Sequence, residues 1–402
     1  MHGKNIVIVG LQSWDNEIGS NCINIAKEFS KHNNVLYVNR ATDRATVLKK
    51  LCKGVIEKTP ARKKSIKKSI SNPLQSLWVF DPPIVLESVN LLPPFLFRVA
   101  NKYNNIRLAR AIKKAIDELG FENSILFVDN DFFRAQYLSE LIRFDTFIYY
   151  IRDYIITQPY FKKHGSLAEK QIMRKADLVL ANSMSLSNYA KEFNPNSHDI
   201  GQGCDFSNFD YSLSYTKPIE LEKLVGPIIG YVGALVHFRL DIELLEKAIL
   251  EMPKWNWVFV GPEDDEFKRS RLHEYPNVFF LGSKQENELA PYIQYFDVCI
   301  NPQLVNEFTN GNYPRKIDEY LVMGKPVVAR ATEFMDMFLP YVHLYRGIHD
   351  FNDTIKLALI DKADPAKAEE KHQYALSHSW ESSVSKLYHF YTLKNTPHAK
   401  QQ

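Results

Sequence analysis

The sequence is poor in cysteine. Its 402 residues include only four, and none of them form the closely spaced Cys or His pairs of a zinc site. A disulfide framework in a chain of this length would also use more cysteines. The scarcity predicts a reducing compartment, the cytoplasm, and no structural zinc. The four are Cys22, Cys52, Cys204 and Cys299.

Long hydrophobic runs are missing as well. A helix that crosses a bilayer needs roughly 18 or more consecutive apolar residues. The nearest approach, residues 91–100, contains two prolines and Arg98. Residues 5–10 are apolar, but the run is short and lacks a basic start, so it predicts an opening strand and not a targeting peptide. We therefore expect no membrane-spanning segment.

The chain has no strong excess of one charge. Its net charge is +3, with 45% hydrophobic and 24% charged residues, which is an average globular composition and excludes disorder, coiled coil and fibre. Within residues 44–68, however, ten lysines and arginines stand against the single acid Glu57. This segment either attracts anionic lipid headgroups or a phosphate-bearing acceptor, or is a solvated surface. The aromatic residues Trp78 and Phe80 lie outside it, so we expect no nucleic-acid binding.

The spacing Gly-x-Gly-x-x-Gly of a dinucleotide site is absent from the loop that follows the first predicted strand. This absence argues against a nicotinamide or flavin enzyme. The loop, residues 12–21, does contain Gly19 and Ser20. We expect Gly19 to let backbone amides approach a phosphate of a bound donor.

Two halves of the chain repeat one pattern, in which short Val- and Ile-rich runs are followed by helical stretches. This alternation is typical of parallel βαβ units. A run of Asp, Ser, Tyr, Thr and Pro between 204 and 226 predicts the linker. The predicted strands are residues 5–10, 34–39, 124–129, 146–152 and 178–182 in the first half and 227–233, 255–261, 278–282, 298–302 and 326–330 in the second.

The predicted architecture is therefore α/β, with two Rossmann-like domains that face each other across a cleft. We expect an acceptor-side domain over residues 1–212, a donor-binding domain over 213–376, and a C-terminal helix and tail over 377–402 that packs back on the first domain. Open α/β sheets bind ligands at the carboxyl ends of their strands.

The most informative stretch is residues 310–329. It predicts an Asn/Gly loop, a helix opened by Pro314 and ended by Gly324, and a buried strand after Pro326. Unpaired backbone N–H groups at such a helix start favour an anion. Lys316, with Arg315 beside it, adds positive charge, and Glu319 can accept hydrogen bonds from adjacent sugar hydroxyls. The alternative is an ordinary αβ unit with solvated charges.

This stretch resembles the donor-binding segment of retaining GT-B glycosyltransferases of the GT4 group, particularly bacterial enzymes of teichuronic acid and capsule synthesis. The resemblance implies that Glu319 holds the ribose of a donor nucleotide. Gly311 stands where the group has its first glutamate, so Asn310, Asn312 or backbone amides would orient the donor sugar. Tyr313 and Gly311 itself are also expected at the donor.

Residues 230–239 resemble the first strand and loop of the donor domain in the same group. The resemblance places Gly233 at the donor and gives Arg239 the position of a lysine that clamps the diphosphate, whereas Ala234 lacks the group's arginine. A fixed cation there stabilises the charge that develops on the leaving diphosphate. Gly261 and Ser283 match strand ends that border the base. Arg239 can equally be a surface residue, and the glycines can be simple turns.

In the first half, residues 174–183 and 201–206 resemble the segment that leads out of the acceptor domain. Asp153 stands near a strand end where many GT4 enzymes have a histidine, and the teichuronic-type branch has Asp. Its carboxylate would bond a sugar hydroxyl or accept a proton; alternatively it pairs with Arg152 or caps a helix. The triplet at residues 129–131 looks like an Asp-x-Asp metal site, but we interpret it as a strand-end loop and expect no metal.

Together these features predict a hexosyltransferase-like enzyme that moves a sugar from a UDP- or GDP-linked donor to a glycan or polyprenyl-linked acceptor, with retention, in bacterial surface polysaccharide synthesis. Asp153, Arg239 and Lys316 are the expected catalytic residues, and no cofactor is expected beyond the donor. Docking on the inner face of the membrane through 44–68 is a further hypothesis. The alternatives are a nucleotide-sugar epimerase, for which no paired acid and base are found, and a non-catalytic nucleotide-sugar-binding partner.

Overall fold

The structure is a computed structural model that describes residues 1–15, 20–52, 65–157, 159–306, 309 and 313–395. The chain divides into two compact units. The first unit runs from Met1 to Gly203 and includes the segment that starts at Trp380. The second unit is Cys204–Ser379.

The regular elements alternate along the chain. The strands are β1 (Asn5–Gly10), β2 (Asn34–Val38), β3 (Thr42–Asp43), β4 (Ile70–Leu74), β5 (Leu77–Phe80), β6 (Val85–Leu86), β7 (Ser124–Asp129), β8 (Thr146–Ile151), β9 (Leu178–Ala181), β10 (Ser197–Asp199), β11 (Ile228–Val232), β12 (Asn256–Val260), β13 (Val278–Phe280), β14 (Val298–Asn301), β15 (Val327–Arg330) and β16 (His343–Tyr345). The α-helices are α1 (Asn21–Ser30), α2 (Arg44–Cys52), α3 (Pro94–Glu118), α4 (Leu138–Leu141), α5 (Pro159–Lys175), α6 (Met184–Lys191), α7 (Ile219–Glu222), α8 (Ile242–Glu251), α9 (Asp265–Arg269), α10 (Leu289–Tyr295), α11 (Arg315–Val322), α12 (Ile348–Asp361), α13 (Pro365–Leu376) and α14 (Trp380–Asn395).

The first unit is built on an eight-stranded sheet in the order β10-β9-β8-β7-β1-β2-β5-β4. The strands are parallel except β4, which runs antiparallel to β5 at the edge. Successive side chains of a strand point to opposite faces. Val7 and Val9 of β1 accordingly belong to one core and Ile6 and Ile8 to the other. Cores on both faces explain why these strands are continuous apolar runs in the sequence.

The second unit contains a six-stranded parallel sheet in the order β13-β12-β11-β14-β15-β16. This is the strand order of a Rossmann fold, and the direction of the chain across the sheet reverses between β11 and β14. Val232 and Val258 lie in one core, and Tyr231 and Trp257 lie in the core on the opposite face. Both units are therefore doubly wound α/β structures with buried central strands.

The units are divided at Gly203 and Ser379, whereas the sequence predicted boundaries at 212 and 376. Residues 204–212 pack in the second unit. Phe209 belongs to its core, and the Cys204 amide donates to the His378 carbonyl at 2.8 Å. Helix α14 packs in the first unit, where the Trp380 indole leaves no room for a Cβ on Gly203, since that atom would lie 2.2 Å from the ring. Glycine at 203 is therefore required by this close approach.

Within the residues that the structure describes, no helix combines the length and apolarity that a bilayer crossing requires. The longest of them, α3, carries six lysines and arginines along its length, in addition to buried asparagines.

Candidate functional site

The carboxyl ends of β11 and β14 mark the switch point of the second sheet, where open α/β sheets bind ligands. The loop after β11 is tied to both neighbouring loops. The Gly233 amide donates to the Val260 carbonyl at 2.9 Å, and the Leu304 amide donates to the Arg239 carbonyl at 2.8 Å. These bonds give the loop that carries Gly233 and Arg239 a defined position at the sheet edge.

Two glycines allow the strand ends to approach each other. Gly233 has φ +138° and Gly261 has φ +153°, both outside the range that other residues readily adopt. A Cβ on Gly261 would lie 2.0 Å from the Gly233 carbonyl oxygen. A Cβ on Gly233 would lie 2.9 Å from the Lys316 ammonium nitrogen. Glycine at these positions is therefore needed for more than a turn. Gly261 leaves space for the Gly233 carbonyl, and Gly233 leaves space for the Lys316 ammonium group.

Lys316 lies in the first turn of α11 and reaches back over the end of β11. Its ammonium group donates to the Tyr231 hydroxyl and lies 4.1 Å from the centre of that ring. The Tyr231 hydroxyl in turn donates to the Ala234 carbonyl at 3.2 Å. No carboxylate pairs with Lys316 among the residues described here. A half-buried cation without a counter-ion is suited to bind an anion.

Glu319 follows one turn later on the same helix and is half-buried. In the described part of the chain its carboxylate has no hydrogen-bond or ion-pair partner. Burial raises the pKa of Glu319, and the positive charges of Arg315 and Lys316 oppose that rise. A free carboxylate near cations can accept hydrogen bonds from two adjacent hydroxyls of a ligand.

A buried acid that the sequence reasoning missed fixes the start of α11. Asp318 is fully buried and accepts a hydrogen bond from the Tyr313 hydroxyl at 2.5 Å. Its other oxygen, Oδ1, lies 2.7 Å from His378 Nδ1, whereas the Cys204 thiol donates at 3.4 Å to Oδ2, the oxygen that also accepts from Tyr313. Burial and the Asp318 charge raise the pKa of Tyr313. The Tyr313 hydroxyl is thus engaged in positioning the helix.

Tyr320 also anchors α11. Its hydroxyl accepts from the Val232 amide at 2.8 Å and donates to the Val232 carbonyl at 3.3 Å. The sequence alone gives little sign of these anchors, because the residue type does not show whether a tyrosine or aspartate of an amphipathic helix faces the core or the solvent.

The remaining predicted donor residues are less constrained. Arg239 is exposed, stacks 5.8 Å from the centre of the Phe238 ring, and has no ion-pair partner in the described ranges. Ser283 is exposed in the segment after β13. Gly19, Asn310, Gly311 and Asn312 lie outside the described residues. The structure therefore brings together Gly233, Gly261, Lys316 and Glu319, with Arg239 further along the loop that carries Gly233.

Asp153 belongs to the first unit, after β8. Its exposed carboxylate lies 3.5 Å from Arg152 Nη1, which is the pairing given as the alternative from the sequence. Arg152 makes its shorter bond, 2.9 Å, to the fully buried Asp129. Burial raises the pKa of Asp129, and Arg152 opposes that rise. Arg152 therefore pairs more closely with the buried Asp129 than with Asp153.

The other residues of the 129–131 triplet are also engaged within the first unit. The Asn130 side chain accepts from the Arg152 amide at 3.1 Å and donates to the Asp153 carbonyl at 2.9 Å. Asp131 pairs with Arg134 at 2.5 Å. Among the residues that the structure describes, no three His, Cys, Asp or Glu side chains are gathered as metal ligands would be. Each member of the triplet has a structural partner within the first unit.

Comparison with known proteins gives a partial sequence match. Residues 226–342, which contain Gly233, Gly261, Lys316 and Glu319, match the family model described as glycosyl transferases group 1. The chain is 25% identical over 223 residues to TuaH of Bacillus subtilis (strain 168), which is described as a teichuronic acid biosynthesis glycosyltransferase. That match covers 53% of this chain and spans about half, 56%, of the relative's length.

Similarity to solved structures extends over nearly the whole chain. Sucrose-phosphate synthase from Thermosynechococcus elongatus matches with a TM-score of 0.61 at 15% identity, over 97% of this chain and 98% of that one. Anabaena HepE in complex with UDP matches with a TM-score of 0.62 at 16% identity, over 97% and 99%. An α,α-trehalose-phosphate synthase (UDP-forming) from Burkholderia vietnamiensis matches with a TM-score of 0.63 at 10% identity, over 100% and 99%. These matches show the GT-B fold, with two Rossmann-like α/β domains, that the sequence predicted.

Proposed function

We propose that this chain is a glycosyltransferase that takes its sugar from a nucleoside diphosphate donor. The observation that carries the proposal is the unpaired Lys316 ammonium over Gly233, one helical turn from the free Glu319 carboxylate. A diphosphate needs fixed positive charge, and a ribose offers two adjacent hydroxyls to an acceptor. In this proposal the diphosphate binds Lys316 and the ribose hydroxyls bind Glu319, at the same edge of the sheet. The match of residues 226–342 to the group 1 family model supports the same assignment.

In this proposal the donor diphosphate binds Lys316 and the backbone around Gly233, and Arg239 joins from further along the same loop. As the bond between the anomeric carbon and the diphosphate oxygen breaks, negative charge grows on the leaving oxygen. Cations already held in place stabilise that charge without reorganisation during the reaction. Lys316 is the better placed of the two, because Tyr231 orients its ammonium group.

Uracil is the base we propose for the donor nucleotide, since the HepE structures contain UDP and UDP-glucose and the fold is shared. Retention and a hexosyl donor are proposed from the GT4 resemblance of residues 310–329. Asp153 is proposed to bond a sugar hydroxyl, with Arg152 3.5 Å away to orient its carboxylate. A glycan of a bacterial surface polysaccharide is the proposed acceptor, as the similarity to TuaH suggests.

The test is calorimetric titration of the full chain with UDP, GDP, CMP, dTDP and NAD. We expect one nucleoside diphosphate to bind and Glu319→Ala to weaken it about tenfold or more, because hydrogen bonds to a charged group are the stronger ones. Glu243→Ala, at an exposed position of α8, is the matched control and should leave binding unchanged. Binding of NAD alone, or equal loss in both variants, would contradict the proposed site.

Turnover distinguishes the alternatives. A transferase releases UDP from UDP-sugar only when an acceptor is present, whereas an epimerase interconverts UDP-sugars without an acceptor. A non-catalytic partner binds the nucleotide and does neither. Chromatography of a UDP-sugar incubated with and without a glycan acceptor separates the three outcomes.

We also propose that the first unit docks on an anionic membrane surface. Four apolar residues near the start of α3 are each more than half exposed: Leu91, Phe95, Val99 and Tyr103. The last three are spaced four apart and so share a helix face. Exposed Arg98 and Lys102 border that face, and a basic rim around apolar side chains fits anionic lipid headgroups.

The predicted basic segment bears on this surface only in part. Residues 53–64 lie outside the described ranges, and Arg44 is engaged by Glu87 through two bonds of 2.6 and 2.7 Å. Sedimentation with vesicles of neutral and anionic lipid tests the docking. We expect Val99→Ser to weaken binding to anionic vesicles, while Leu357→Ser, equally exposed in the second unit, does not. Equal binding to neutral vesicles would contradict the role of charge.

A further inference from the structure

A cavity of about 520 Å³ opens in the first unit and is lined by residues of that unit alone. Leu11 follows β1, Arg40 follows β2, and Asp131 and Arg134 follow β7, and all four line it. The cavity therefore lies at the carboxyl ends of the strands on both sides of β1, where the strand order of this sheet reverses. This is where a doubly wound sheet binds a ligand, and the volume is in the range of small-molecule sites, about 300–1,000 Å³.

Two guanidinium groups, those of Arg40 and Arg134, line this cavity and lie close enough for their charges to repel. Arg134 is held by the nearly buried Asp131 at 2.5 Å, and its side chain is 16% exposed. Burial lowers the pKa of Arg40, and the nearby charge of Arg134 lowers it further. A guanidinium has five N–H donors in a planar fork. Most of those donors on Arg40 and Arg134 have no partner within the portion of the chain that is described.

The carboxylates that line the cavity are already engaged. Asp43 accepts from the Thr46 amide at 2.9 Å and from the Ser88 hydroxyl at 3.2 Å, and it lies 4.0 Å from Arg40. Glu87 accepts two bonds from Arg44. Asp131 pairs with Arg134 and Asp43 lies near Arg40, so each of these two acids offsets one guanidinium charge. Lys49 and Lys163 also line the cavity, which gives four basic side chains against three acidic ones, Asp43, Glu87 and Asp131. The lining therefore retains a net positive charge.

The lining of the cavity also offers an aromatic surface. Tyr160 and Phe161 pack edge to face with ring centres 4.9 Å apart, and Tyr160 is half exposed. An exposed aromatic ring packs well against the apolar face of a sugar ring. Asn101 and Asn105, which also line the cavity, each donate to the Phe133 carbonyl at 3.0 Å, which makes this part of the wall rigid. A rigid wall favours binding because little side-chain entropy is lost.

We propose that this cavity is the acceptor subsite and that Arg40 and Arg134 bind an anionic group, a carboxylate or a phosphate, on the acceptor sugar. The inference rests on the proposed glycosyltransferase function and extends it, since it names the chemical class of acceptor. The ring of that sugar packs on Tyr160 while its anionic group meets the two guanidiniums. A neutral sugar leaves the remaining N–H groups of both guanidiniums without an anionic acceptor and binds more weakly.

Ligand-observed NMR titration of the full chain tests this with three probes: glucuronate for a carboxylate, glucose 6-phosphate for a phosphate, and glucose as the neutral reference. We expect at least one anionic probe to bind about tenfold or more tightly than glucose, and Arg40→Gln to abolish that preference. Arg110→Gln, an exposed arginine on α3, is the matched control. Arg40 is the variant of choice because Arg134→Gln would leave the buried Asp131 unpaired.

Glucuronate binding alone assigns a carboxylate, glucose 6-phosphate binding alone assigns a phosphate, and either result supports the proposal. Equal binding of glucose, no binding of any probe, or no change in Arg40→Gln overturns it. UDP binding is measured in the same samples. If UDP binds and the anionic sugars do not, this inference fails while the proposed function stands; if UDP does not bind, the proposed function fails independently of the cavity.

Discussion

The ammonium group of Lys316 lies against Gly233, so close that a Cβ on the glycine would be 2.9 Å from the lysine nitrogen. A residue in the first turn of α11 thus supplies positive charge at the end of β11. The Tyr231 ring, whose centre lies 4.1 Å from the ammonium nitrogen, holds that group in place. The helix therefore adds a second cation to Arg239, which the loop itself carries.

Replacement of Lys316 should therefore separate diphosphate binding from base and ribose binding. Lys316→Met is expected to weaken UDP binding about 10- to 100-fold, since it removes a charge-assisted contact, and to leave uridine binding unchanged. Calorimetric titration with UDP and uridine measures both. Lys247→Met, exposed on α8, serves as the control. An equal loss for the two ligands would show that Lys316 does not contact the diphosphate.

The approach of the two strand ends predicts a costly substitution at Gly261. Gly261→Ala meets both an unfavourable φ and a backbone oxygen 2.0 Å from the new Cβ, and we expect it to destabilise by about 3 kcal/mol or more. Gly282→Ala also has a positive φ, +67°, but meets no atom within 4 Å, so about 1 kcal/mol is expected. Urea unfolding of both variants measures the difference, and similar losses would show that the contact relaxes freely.

Burial of Glu169, in α5 of the first unit, predicts a pH-dependent stability. The side chain is fully buried, accepts from the Tyr189 hydroxyl at 3.1 Å, and has its pKa raised by burial to about 7. Because the folded state holds the proton more tightly, stability should fall as pH rises from about 4.5 to 7, and Glu169→Gln should remove this fall. The stabilisation by Gln at pH 8 is expected to reach about 3 kcal/mol.

Unfolding in urea at pH 4, 6 and 8 measures this effect. Glu192→Gln, an exposed acid after α6, should leave the pH profile as in the parent chain. A Glu169→Gln profile parallel to that of the parent would show that Glu169 does not titrate differently on folding.

The Asp318 cluster predicts strong coupling between neighbouring substitutions. Asp318→Ala leaves the Tyr313 hydroxyl and His378 without their shared acceptor and should cost about 3 kcal/mol, whereas Tyr313→Phe removes one bond and should cost about 1 kcal/mol. In the double variant the costs should not add, because the two side chains share one bond. Chemical unfolding of the three variants completes the cycle, and strict additivity would refute the coupling.

The central strands and the site helix could be predicted from the sequence. Strands β1, β7 and β8 are buried on both faces, so each forms a continuous apolar run bounded by polar residues. Six strands were not predicted. Two of them, β4 and β5, pair with each other at the edge of the first sheet. The other four, β3, β6, β10 and β16, have only two or three residues each, mostly half-buried, and carry no periodic signal. Their pairing depends on neighbours that are distant in the chain.

The candidate site shows the same division. The sequence by itself determined two α/β units and placed Glu319 in a helix between Pro314 and Gly324, since proline and glycine limit the backbone locally. Only the tertiary structure decided that Lys316 reaches Gly233 and that Asp318 is buried. It also decided that Arg152 pairs more closely with Asp129 than with Asp153. The residue type alone does not show whether a charged side chain is solvated or buried. Its partner is chosen by packing between elements that lie far apart in the sequence.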